Sequence, residues 1–145
     1  MKQKKSEQNI SWVCIFVIWL IAVISLLGSL FFSEVMDVTP CVLCWYQRIA
    51  IYPLVFILPM ALFPLDTNVA KYVLPLPVIG WFIAFFHVAL TNGYIPKSIQ
   101  PCSKGVPCSE ISIEWLGFLT IPVMSLLSFS VIIGLLVWVI KKGSQ

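Results

Sequence analysis

Four apolar runs, each about long enough to cross a bilayer, fill most of this 145-residue chain and leave it little choice of fold. They read as Ile10 to Phe32, Trp45 to Leu65, Val73 to Leu90 and Trp115 to Ile140. In lipid every backbone polar group must find its partner inside the protein, so runs of this length are expected to be helices. Composition agrees: 60% of residues are hydrophobic and 10% charged, with a mean hydropathy of +1.00, whereas roughly a quarter of a soluble domain carries charge. The expected fold is an all-α membrane protein, a four-transmembrane-helix bundle forming a single polytopic domain over 1–145. The last run exceeds what a bilayer needs, and Thr120-Ile121-Pro122 offers a cap followed by proline at a helix start. Its spanning helix is therefore expected at about Pro122 to Ile140, after a short surface segment over Ile111 to Leu119. The helices then fall at approximately 10–32, 45–65, 73–90 and 122–140, with outer loops over 33–44 and 91–121. A cleaved signal peptide is the rival reading of the first run, but that run exceeds the roughly 7 to 15 residues of such a segment, and no small-x-small site follows Phe32.

Lysines orient the bundle. Lys2, Lys4 and Lys5 precede the first helix and Lys141 and Lys142 follow the last, while the loop before the second helix carries only Glu34 and Asp37. The positive-inside rule then puts both termini in the cytoplasm of a cell bounded by this membrane. The loop from Thr91 to Glu114 holds Lys97 and Lys104 but balances them with Glu110 and Glu114. The net charge of +3 thus reports topology and gives no reason to expect nucleic acid. Membrane lipid is the expected surrounding.

The chemistry-bearing residues gather towards the outer end. Cys41 and Cys44 form a C-x-x-C just where the second apolar run begins, a spacing that suits a reversible disulfide and a setting that lowers thiol pKa at a helix start. Cys102 and Cys108 lie in the long polar loop, flanked by Pro101 and Pro107, where an oxidising compartment permits a disulfide. A C-x5-C can simply tie down a loop. Two pairs on one membrane face also permit exchange, in which one disulfide is regenerated by the other through a mixed disulfide. Zinc is the competitor for four cysteines, but its ligand pairs usually repeat a spacing of two to four residues, so no metal is expected. Cys14, inside the first run, reads as a small hydrophobe.

Arg48 is the only arginine, and it lies inside an apolar run. Four residues after Cys44 it shares that thiol's helix face, displaced by ~6 Å along the axis. There it can stabilise a thiolate, or a carbonyl that gains negative charge as a quinone does on reduction; snorkelling to lipid headgroups is the plain alternative. His87, the only histidine, comes three residues before the end of the third run and would sit at a depth similar to Arg48. Both are candidate cofactor-binding residues. Nothing in the chain supplies a Gly-rich phosphate loop, an H-E-x-x-H or a serine triad.

Taken together, the C-x-x-C opening the second helix, Arg48 four residues on, the cysteine pair between helices three and four, and inward termini resemble the DsbB family of quinone-linked thiol oxidases. The match extends over the whole chain and looks most like the shorter Gram-positive branch called BdbC. In bacteria the DsbA, DsbB and quinone system is what keeps a periplasm oxidising. The resemblance therefore implies a quinone cofactor, menaquinone or ubiquinone, and an extracytoplasmic thioredoxin-fold thiol oxidase of the DsbA or BdbD kind as partner. It implies that Cys102 and Cys108 form the disulfide a reduced partner attacks, with Cys102 struck first, and that Cys108 is then captured by Cys41. Cys44 is freed beside the quinone, with Arg48 stabilising the developing charge. Two departures stand out: the C-x5-C is much tighter than in enterobacterial members, and Gln47 stands where those carry an acidic residue. A vitamin K epoxide reductase-like enzyme would place its loop cysteines before the C-x-x-C, the reverse of the order here. A non-enzymatic scaffold with two structural disulfides is the remaining alternative.

Overall fold

The computed structural model describes residues 2–37, 40–94 and 120–143, with side chains from Glu7 onward. Among the described residues five helices form: α1 (Lys2–Glu34), α2 (Val42–Leu62), α3 (Val69–Val73), α4 (Pro75–Thr91) and α5 (Ile121–Gly143). Helices α3 and α4 make one span, so four stretches of the described residues are long and apolar enough to cross a membrane: Glu7–Glu34, Val42–Leu62, Val69–Thr91 and Ile121–Gly143. The surface segment expected over Ile111 to Leu119 lies outside the described residues.

The limits of the spans follow local hydrogen bonding more closely than hydropathy. The second span opens at Val42, ahead of the apolar run, because the Cys41 carbonyl already accepts the Trp45 N–H at 3.2 Å. Asp66 accepts the Asn68 N–H at 2.9 Å and turns the chain into α3, so the third span begins at Val69. Hydrogen bonds from Leu74 to the Ala70 carbonyl and from Val78 to the Leu74 carbonyl carry the helical path past the break at Pro75, whose nitrogen has no proton to give. Before α5, the Thr120 carbonyl accepts the N–H groups of Val123 and Met124.

Helix α1 packs on α2 and α5, and α4 packs on the same two, giving a closed ring in the order α1, α2, α4, α5. The core runs down its middle through Ile15, Ile18, Ala22, Leu54, Leu58, Ala84, Phe129, Ile132 and Leu136. Small residues bring the backbones together, as membrane bundles require. A Cβ added at Gly80 would stand 2.5 Å from the Phe129 ring and 3.1 Å from the Ala50 Cβ, so that crossing tolerates glycine alone. The outer faces carry Ile24, Phe56, Met60, Tyr72 and Phe82 exposed. Such apolar outer faces need lipid around them.

Two prolines interrupt α2, Pro53 and Pro59. Proline at 59 leaves the Val55 carbonyl without its i+4 donor. Trp19 of α1 supplies one instead, its Nε1–H reaching that carbonyl at 3.1 Å. The bond both satisfies a polar group inside the apolar layer and ties α1 to α2. On the other side of the ring, Trp81 Nε1–H donates to Ser130 Oγ at 2.9 Å and ties α4 to α5.

Candidate redox site at the start of the second helix

Cys41 is the last extended residue before α2, with φ −71° and ψ 165°, following Pro40. Three residues on, Cys44 comes round to the same side. The two sulfurs are free thiols 3.1 Å apart. Cys41 is buried, 3% exposed, whereas Cys44 is half-buried. A second small cluster, Leu43 and Leu90 with Ile83 and Phe86, packs around the pair. The Cys41 thiol is held well below the usual thiol range: the hydrogen bond with Cys44 is the main cause, burial opposes it, and His87 adds a smaller lowering.

The residues expected to serve a cofactor part company here. Arg48 is 5% exposed and turns towards α1, where Nε donates to Ser29 Oγ at 2.7 Å and Nη2 to the Ser29 carbonyl at 2.6 Å and Ser33 Oγ at 3.0 Å. It does not snorkel. Its guanidinium carbon also lies 5.5 Å from the centre of the Trp45 ring, within cation–π range. His87 of α4 turns instead towards Cys41: Nε2 lies 3.8 Å from the sulfur, and Nδ1 lies 3.3 Å from Gln47 Nε2. Residue spacing gave no sign of Gln47 as His87's neighbour, nor of Ser29 and Ser33 as the anchors of Arg48. Two serines one turn apart at the end of an apolar helix were the available signal for the latter.

Between α1, α2 and α5 lies a cavity of about 280 Å³, walled by Ile24, Leu26, Phe32, Ile51 and Met124, with Cys44, Gln47, Arg48, Ser25, Ser29, Ser125 and Ser128 as its polar members. His87 is not in its wall. The dithiol thus has the cavity on one flank and His87 on the other. Cys41, Cys44 and His87 present ligand atoms within 4.8 Å of one another, a set a soft metal ion can use. Gln47 bears on that reading, because an amide N–H donated to Nδ1 leaves the proton on Nε2 and no lone pair facing the sulfurs. Cys14 sits in the other half of α1, fifteen residues or roughly 22 Å from Ser29. Cys102 and Cys108 lie outside the described residues.

These features define a class, a polytopic membrane protein built around a buried dithiol at one end of its bundle. Residues 11–139 match the family model described as "Disulfide bond formation protein DsbB". Among curated relatives, "Disulfide bond formation protein C" of Bacillus subtilis (strain 168) is 50% identical over 83% of this chain and 88% of its own. "Probable disulfide formation protein" of Metapseudomonas resinovorans is 42% identical over 92% and 93%, and "Probable disulfide formation protein C" of Halalkalibacterium halodurans is 42% identical over 79% and 83%. No solved structure matches significantly. The chain belongs to the DsbB family of disulfide bond formation proteins, in its BdbC branch. It is accordingly a multi-pass membrane oxidoreductase of disulfide formation, which sets aside the vitamin K epoxide reductase-like and scaffold alternatives.

Proposed function

We propose that this oxidoreductase takes electron pairs from a reduced thioredoxin-fold thiol oxidase on the outer side of the bacterial cytoplasmic membrane and passes them to a membrane quinone, menaquinone or ubiquinone. One observation carries the reading: Cys44 and Arg48 stand in the wall of the same apolar cavity. Its volume is close to the lower limit of ordinary ligand pockets, roughly 300 Å³, which suits a flat ring better than a whole lipid. The donor set fits too. Arg48 commits Nε and Nη2 to α1, and among the described residues no partner takes the Nη1 hydrogens, which remain for a ring carbonyl. A quinone bound there supplies a two-electron, two-proton acceptor.

The chain's own residues divide the work. Closing Cys41–Cys44 breaks two S–H bonds, forms one S–S bond and releases two electrons and two protons. Cys41, the buried member with the depressed thiol pKa, is the exchange sulfur; it meets Cys108 after the partner attacks the Cys102/Cys108 disulfide. Cys44 is the sulfur on the cavity side. Arg48 holds negative charge there, between the apolar walls of Phe32 and Ile51, a setting of low polarity that strengthens that interaction. The lysines at both termini support an outward placement of all four cysteines.

The test uses purified full-length protein in nanodiscs, a reduced thioredoxin-fold oxidase and menaquinone under anaerobic conditions. One quinone should be consumed per partner dithiol oxidised, followed by the quinone's ultraviolet absorbance. Catalytic partner oxidation that proceeds equally without quinone overturns the proposal.

A further inference from the structure

His87 and Gln47 are both buried, at 3% and 7% exposure, and they touch each other beside Cys41. An amide nitrogen only donates. With Gln47 Nε2 at 3.3 Å from His87 Nδ1, that ring nitrogen must accept, and in a neutral imidazole the proton then sits on Nε2. The same Nε2 lies 3.8 Å from the Cys41 sulfur, a separation within the longer reach of a hydrogen bond to sulfur. We infer that His87 acts on Cys41, its Nε2–H donating a hydrogen bond to the Cys41 thiolate, and that Gln47 is the positioning residue that fixes the ring in this tautomer. No proton or electron passes through the ring; it stabilises charge on the sulfur while Cys41 is unbonded. This rests on the reading of Cys41 as the exchange sulfur, and it moves His87 from the cofactor to the thiol side of the site.

Few charged groups face the ring. From α2 the titratable groups that face it are Cys41 and Cys44, while Arg48 turns away to α1. On α5 the charged residues are Lys141 and Lys142 in the last turn, and on α3 Lys71, all at the opposite end of the bundle. On α1 the carboxylate at this end is Glu34, which is exposed. No carboxylate among the described residues contacts the ring. A glutamate at position 47 would reverse this arrangement. Its carboxylate accepts from Nδ1–H, and Nε2 then turns a lone pair towards the thiolate unless the ring is doubly protonated.

His87 is the only histidine, so its ring nitrogens can be read without assignment. In reduced, full-length protein labelled with 15N-histidine, Nδ1 should resonate as an unprotonated nitrogen and Nε2 as an N–H at neutral pH. A spectrum with the proton on Nδ1 overturns the inference, with no variant needed. The pH at which Cys41 alkylation falls to half its plateau, followed site by site by peptide mass spectrometry, should rise by about one pH unit in His87→Leu, the size expected for one hydrogen bond to a charged group. His87→Gln, whose amide N–H can stand in for Nε2–H, should reverse most of that shift; equal midpoints in the two variants overturn the inference. Gln47→Glu should move the neutral ring's proton to Nδ1, and an unchanged tautomer removes Gln47 from the scheme. If equimolar Zn²⁺ added to the wild type shifts Nε2 and blocks alkylation of Cys41 and Cys44 together, the cluster is a metal site and the inference fails. Neither readout involves quinone or partner. Loss of quinone turnover with these results intact counts against the proposed function alone.

Discussion

A single side chain, Arg48, joins the redox helix to α1 through Ser29 and Ser33, so its charge and its geometry can be tested apart. Arg48→Ala should lower quinone-dependent turnover by on the order of a hundredfold while partner-thiol exchange changes little, because only the step that places charge in the cavity loses its stabiliser. Arg48→Lys keeps the charge but not the planar fork that spans two serines, and should restore only part of the rate. The two thiols separate as cleanly. With Cys41→Ser, the remaining thiol at Cys44 no longer shares its proton with a neighbouring sulfur. Its thiolate against an oxidised quinone should then give a visible charge-transfer absorption that vanishes on acidification, while Cys44→Ser gives none. A colourless Cys41→Ser protein with bound quinone would exchange the two roles. Cys41 itself, in the reduced wild type, has its pKa depressed, so the thiolate is present above the lowered value and is lost as pH falls through it. Its alkylation should therefore stay fast well below the usual thiol pKa of about 8.5 and decline only in acid. Cys14→Ala should leave turnover near wild type.

Helices are held together by contacts that hydropathy does not display. Trp19→Phe removes the donor that serves the carbonyl freed by Pro59, and should cost about 1 to 3 kcal/mol in reversible unfolding in mixed micelles. Trp81→Phe should cost less, since Ser130 Oγ keeps its bond to the Leu126 carbonyl at 2.8 Å. Equal losses would mean that the Val55 carbonyl finds another donor. Gly80→Val forces a methyl group into the Phe129 ring and should destabilise by roughly 1 to 3 kcal/mol. These elements also mark how far a one-dimensional reading reaches. Apolar runs disclose the spans because a bilayer imposes their length, and Cys41, Cys44 and Arg48 were legible together because one helix relates them. Ser29, Ser33 and the Gln47–His87 pair depend on how α1 and α4 are rotated against α2, which no spacing within a single run determines. The starts at Val42 and Val69 depend on individual carbonyl and carboxylate acceptors, and a hydropathy window averages those away.

For the molecule as a whole, the lysine-bearing ends of α1 and α5 meet at the end away from the dithiol, where Glu7, Ser11, Thr67 and Lys142 line one polar cavity. If that end faces the cytoplasm, an impermeant maleimide should label Cys102 and Cys108 in intact cells after reduction. Labelling only after the membrane is breached would invert the bundle. Arg48 has a further consequence on this scale. Its partners on α1 are two hydroxyls and a carbonyl, groups that grip a cation without cancelling it. The field of a full positive charge therefore persists in the apolar layer, where counter-ions screen it poorly. The cavity should then select for ionisation in whatever enters it: a ring analogue bearing an acidic hydroxyl should bind more tightly as pH rises through the hydroxyl's own pKa, a matched neutral analogue should show no such trend, and Arg48→Gln should abolish the difference between the two.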